Sequence, residues 1–236
     1  MAARRTAVIM TVIALGMLLF AGHSEAKLFE NPVDCYAVLV IAANDTNAAL
    51  HKNLDPIDVN GAEITLSRIY AVLKTSGYKD SNIDILYCDG KLQPDWTETR
   101  NAEWFKQLKK NHFSDGFKSA TKENINAAVE NVKKKLDGND QFVFWIIAHG
   151  SAWGSLMLAK YQMWSSREIK QTFDGLKSKS NWILIDSCFS GSILDRIDID
   201  NAVLFSATTS KTPGWVDNRF SNCARFLENK VNKELD

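Results

Sequence analysis

Residues 35–43 read CYAVLVIAA, nine positions with no charge and no alternation of polar with apolar side chains. A strand with one wet face alternates, so a run of this kind is a strand buried on both faces. The pattern returns at 141–148 (QFVFWIIA), 181–186 (NWILID) and 201–207 (NAVLFSA), and in a more mixed form at 82–88 (NIDILYC). Helical spacing lies between these runs. It is carried first by Ile57, Ile64, Leu66, Ile69, Tyr70 and Leu73, with Gly77 as the stop, and then by Ile125, Ala128, Val129, Val132 and Leu136. Thr121 and Glu123 open the second of these helices, Gly138 lies beyond its end, and Ser165 is placed to cap a third over 165–176. Residues 220–231 close the chain as a helix. Segment 92–116 fits neither period; it reads as a long surface excursion whose one helical candidate is 102–110. Doubly buried strands alternating with helices predict an α/β fold, a three-layer sandwich whose mostly parallel central sheet is flanked by helices with right-handed crossovers.

The amino terminus belongs to a different pattern. Arg4 and Arg5 precede an apolar run over 7–22, followed by Ser24, Glu25 and Ala26. This is the order of a secretory signal peptide, with cleavage predicted after Ala26. The run is short for a membrane span of about 20 residues, so no stable membrane association is predicted once it is removed. The division is a signal peptide over 1–26 and one domain over 27–236. The whole chain has 28 basic and 28 acidic side chains; loss of Arg4, Arg5 and Glu25 leaves 26 against 27. A near-neutral chain without a basic patch does not predict nucleic-acid binding.

Four cysteines, Cys35, Cys88, Cys188 and Cys223, admit two disulfides in an oxidising compartment. Cys35 begins a strand and Cys88 ends one, so in a parallel sheet they lie at opposite edges; Cys223 is the cysteine best placed to approach Cys188. Three histidines remain after residue 26, with no Cys-x-x-Cys or His-x-x-x-His spacing, so no metal site or cofactor is predicted.

In parallel α/β sheets, sites form just past the carboxyl ends of the strands. His149 stands at the end of one buried run and Cys188 at the end of the next, each followed by small residues. Neighbouring strands lie about 4.8 Å apart, within reach of one substrate. An imidazole beside a thiol raises its thiolate fraction and can protonate a leaving amine. Gly150 allows close approach of a carbonyl to the backbone, and its amide with that of Cys188 can form an oxyanion hole. Taken singly, each residue fits a structural role as well as a chemical one.

The segment VFWIIAHGSAWG (143–154) resembles the strand-His-Gly block of clan CD cysteine peptidases, the caspases, metacaspases and legumains (peptidase C13). ILIDSCFSGS (183–192) resembles their strand-acidic-small-Cys block. LFSATTSKTPGW (204–215) looks like the legumain strand that runs into Ala-Thr-Thr, and YAVLVIAAND with SGYKDSNIDILY is similar to the legumain amino-terminal block. The resemblance implies a caspase-like fold, His149 and Cys188 as catalytic pair, and Asn44 oriented toward the histidine. An equal reading of Asn44 is a turn residue in Asn-Asp-Thr. The arginine these families place after the first strand is missing from HKNLDPID (51–58). Asp186, two residues before the cysteine, matches a metacaspase aspartate that accepts a basic P1 side chain; it fits a structural strand-end carboxylate equally.

The resemblance implies a cysteine endopeptidase acting on protein or peptide substrates, with P1 asparagine or a basic residue, and the amino-terminal signal pattern places it in a periplasm, vacuole, lysosome or extracellular space as an exported protein. Two rivals keep the fold. In one, an amine intercepts the thioester, as in a transpeptidase or ligase. In the other, the chain is a catalytically degenerate binding module.

Overall fold

The computed structural model describes residues 34–42, 59–90, 107–108, 110–112, 116–213 and 223. Its centre is a five-stranded sheet built from β1 (Cys35–Ile41), β2 (Ile83–Tyr87), β3 (Gln141–Ile147), β7 (Ser180–Asp186) and β8 (Ala202–Ser206). The order is β2-β1-β3-β7-β8 and every pairing is parallel. The chain leaves β1 for β2 on one side and then crosses to β3 on the other, so the strand order reverses between β1 and β3. Such a reversal opens a crevice at the carboxyl ends of the strands. All seven residues of β1 and all seven of β3 are buried, as uninterrupted apolar runs require.

Helices flank the sheet. Tyr36, Val38, Val40, Phe142, Phe144 and Ile146 point to one face, where they share a core with Ile125, Val129 and Val132 of α2 (Lys122–Lys133) and with Ile169 and Phe173 of α3 (Ser166–Phe173). Phe144 meets Phe173 edge-on at 4.8 Å between ring centres. The alternate residues, including Leu39 and Trp145, point the other way. On that side lies α1 (Val59–Thr75), in contact with β1 and bonded through the buried Glu63 carboxylate to the Tyr87 hydroxyl. The fold is an α/β sandwich of the kind predicted. Among the described residues no helix is long and apolar enough to cross a membrane.

Local signals set the helix starts. Thr121 accepts from the Asn124 amide at 3.4 Å and caps α2. Ser165 accepts from the Glu168 amide at 3.3 Å while the Glu168 carboxylate accepts from the Ser165 amide at 2.8 Å, a reciprocal cap for α3. The excursion is helical at 107–108 and 110–112, extending past the predicted limit of 110. The closing helix and the signal segment lie outside the described residues, apart from Cys223, which is helical and buried.

One element escaped prediction. Between β3 and α3 stands a small antiparallel sheet of β4 (His149–Ser151), β5 (Ser155–Met157) and β6 (Met163–Ser165). Three-residue strands are too short to show a period of two, and their pairing is set by the turns that join them. A short helix, α4 (Gly191–Leu194), follows the turn after β7.

Candidate functional site

Register brings the two predicted reactive side chains to one edge. β3 and β7 are parallel neighbours with Ile147 opposite Asp186, and the Ala148 amide donates to the Asp186 carbonyl at 3.1 Å. His149 is therefore the second residue past the end of β3, and Cys188 the second past β7. Both are half-buried, as a group that must meet a substrate requires.

The backbones that carry them are in contact. A β-carbon on Gly150 would lie 2.1 Å from the Cys188 carbonyl oxygen and 2.6 Å from Ser187 Oγ. Only glycine fits there, so Gly150 is needed for space rather than for an unusual backbone angle. The chain then turns back: Gly154 donates its amide to the Ser151 carbonyl at 3.1 Å, Ser151 and Ser155 hydroxyls meet at 2.8 Å, and the hairpin β4-β5 closes. Ser192 of α4 donates its hydroxyl to the Ser151 carbonyl at 3.0 Å, and Arg196 donates to the Ser192 carbonyl. The histidine hairpin is thus fastened to the segment after the cysteine. Trp153, at the hairpin tip, is 86% exposed.

The cysteine turn is bound on its other side by residues 208–212. Phe189 takes a left-handed φ of 54° and donates its amide to the Thr212 carbonyl at 3.0 Å. The Ser190 amide donates to Thr208 Oγ1 at 3.0 Å, and the Gly191 amide to the Thr208 carbonyl at 3.0 Å. A β-carbon on Gly191 would come within 2.5 Å of the Ser210 nitrogen. The small residues around Cys188 therefore make room for a second chain segment. The sequence singled out Ala-Thr-Thr at 207–209 only through resemblance, and neither Thr208 nor Ser192 carries a local signal of its role.

Asp186 is 3% exposed, and its carboxylate accepts from Trp145 Nε1 at 2.6 Å. It shares a sheet face with Trp145 and touches Cys223, whose thiol is pushed well up by burial and by the Asp186 carboxylate. Asp186 thus sits inside the layer beneath the strand end rather than on the open surface beside Cys188. Asn44 lies outside the described residues.

None of the four cysteines is in a disulfide. Cys35 stands at the amino end of β1 and Cys88 just past the carboxyl end of β2, at opposite edges as the parallel arrangement requires. Burial pushes the Cys35 thiol up to about 11. Among the described residues no cluster of three or more histidine, cysteine or acidic side chains could hold a metal ion.

Comparison with curated proteins finds no match. The model of the Peptidase C13 family matches residues 59–223, more than half of the chain, and spans both His149 and Cys188. The chain belongs to the peptidase C13 family of legumain-like cysteine peptidases.

Proposed function

We propose that this protein is an exported cysteine endopeptidase in which Cys188 is the nucleophile and His149 the general acid and base. The observation that carries the reading is the parallel register of β3 with β7, with the Gly150 backbone against that of Cys188. In this reading the Cys188 thiolate attacks the scissile carbonyl carbon. As the tetrahedral species collapses, the C–N bond breaks and His149 gives its proton to the leaving amine. Water then attacks the thioester, His149 takes its proton, and the acid leaves with the thiol restored. The amides of Gly150 and Cys188 stabilise the developing oxyanion, and Asn44 orients His149.

For the substrate we propose P1 asparagine or a basic residue. A buried carboxylate two residues from the nucleophile favours an amide or a cation nearby over an acid, and Asp186 would exert this preference from beneath the strand end. Cleavage profiling on a peptide library tests it; a library that returned only P1 aspartate would overturn it. Export is supported by the order of charge, apolar run and small residues over 1–26, and amino-terminal sequencing of the mature protein is expected to begin at Lys27.

Cys188→Ala tests the central claim. Turnover and iodoacetamide labelling at residue 188 should both vanish while the fold stays intact. Peptidase activity surviving in this variant refutes the assignment. A labelled but inactive wild-type protein points to the binding-module alternative, and product conjugates with an added amine point to acyl transfer.

A further inference from the structure

We propose that Thr208 is a positioning residue for the oxyanion hole, holding the Ser187–Cys188 peptide group so that its amide faces the reacting carbonyl. The inference rests on the peptidase reading and extends it to a residue outside the His-Gly and Cys blocks.

Thr208 lies two residues beyond β8 and bonds to three positions around the nucleophile, Ser187, Ser190 and Gly191. Its hydroxyl donates to the Ser187 carbonyl at 3.1 Å, the shorter of its two carbonyl contacts; the other is its neighbour Thr209 at 3.4 Å. The same oxygen accepts from the Ser190 amide at 3.0 Å and stands 3.1 Å from Ser190 Oγ. The Thr208 amide donates to Ser190 Oγ at 3.1 Å, and its carbonyl accepts from Gly191 at 3.0 Å. One residue therefore closes the turn from Ser187 to Gly191.

The Ser187 contact matters most. The Ser187 carbonyl and the Cys188 amide belong to one planar peptide group. A donor fixed on the carbonyl sets the direction in which the amide points, and it polarises the group so that the amide becomes a stronger donor. The other amides of the turn, those of Phe189, Ser190 and Gly191, are committed to residues 208–212. In the peptidase reading the oxyanion is met by the Cys188 amide and by Gly150 across the gap. On its other flank the Cys188 carbonyl is pressed by Gly150 and accepts from Ser187 Oγ at 3.2 Å. The peptide chain at the nucleophile is thus pinned from both sides, with Thr208 holding the end that aims the donor.

The test compares Thr208→Val, which keeps the shape and removes the hydroxyl, with Thr208→Ser, which keeps the hydroxyl. Three readouts are taken on the full mature chain: peptide hydrolysis, affinity for a peptide aldehyde, and the rate of Cys188 alkylation by iodoacetamide. The aldehyde forms a hemithioacetal whose oxygen uses the oxyanion donors, whereas alkylation by iodoacetamide develops no oxyanion. Thr208→Val is expected to lower kcat and aldehyde affinity by at least about tenfold with KM and alkylation rate within about twofold, and Thr208→Ser to restore both. Aldehyde affinity unchanged in Thr208→Val overturns the inference. So does alkylation that falls in step with turnover, which marks a general disordering of the turn, or a failure of Thr208→Ser to restore. The aldehyde arm needs no turnover, so a wild-type protein that binds aldehyde without hydrolysing peptides refutes the peptidase reading while still deciding the role of Thr208.

Discussion

Gly150 lies so close to Cys188 that a β-carbon at residue 150 would stand 2.1 Å from the Cys188 carbonyl oxygen. That is well inside any tolerable contact, and the atom it meets is backbone, which cannot swing aside. Gly150→Ala is therefore expected to push the histidine hairpin away from the cysteine turn. Overpacking of this kind typically costs about 1–3 kcal/mol, and loss of alignment at the reacting groups should reduce kcat/KM by at least about a hundredfold. Thermal unfolding and steady-state kinetics on the same preparation check both.

Selective labelling follows from the cysteine environments. Cys88 and Cys223 are buried, the Cys223 thiol is held well up by burial and Asp186, and burial takes Cys35 to about 11. Cys188 alone is half-buried. Native protein treated with iodoacetamide near pH 7.5 should carry one adduct, on Cys188, and unfolded protein four; peptide mass spectrometry reads the difference. Labelling of Cys35 at a comparable rate would contradict its burial.

Trp145 should matter for stability through a single bond. Its indole N–H donates to the buried Asp186 carboxylate at 2.6 Å. Trp145→Phe removes the donor and leaves the acceptor in place, which typically costs about 1–3 kcal/mol beyond the lost packing. Chemical denaturation checks the figure. Pairing with Asp186→Asn in a double-mutant cycle should show coupling between the two changes.

The cap of α3 predicts a particular acid response. Glu168 is drawn down to about 2, first by the Lys122 hydrogen bond at 2.9 Å and then by its bonds with Ser165. Its folded value lies below its ordinary 4.5. The stabilisation is accordingly complete above about 4.5 and lost as pH falls from there toward 2. Glu168→Gln should flatten the melting temperature across that window and cost about 1 kcal/mol near neutrality through the weakened cap. An unchanged acid slope would show that the carboxylate does not report on this helix.

The parallel sheet and the two strand ends were legible because hydrophobicity without alternation has one economical solution, burial on both faces. The same runs that fill the core, 141–148 and 181–186, carry His149 and Cys188 just past their ends, so the candidate site came with the fold. What the sequence did not reveal depended on pairing between distant residues. The strands at 149–165 are three residues each and have no period to read. Thr208 looks like any threonine in a turn until the carbonyl of Ser187, 21 residues earlier, is seen beside it. Asp186 shows the same limit from the other side: its position in the motif fitted a specificity residue and a structural carboxylate equally, and the sequence could not show that the side chain is buried against Trp145.

The alignment of β3 with β7 also bears on the safety of the cell that makes this protein. His149 and Cys188 are 39 positions apart along the chain and come to one sheet edge only when two strands separated by a small sheet and a helix pair side by side. Contacts of such long sequence separation form late, because the intervening loop must close before they reward it. On the proposed reading, a ribosome-bound or unfolded chain holds a thiol and an imidazole but no cutting edge, and any hydrolytic danger to neighbouring proteins waits on folding.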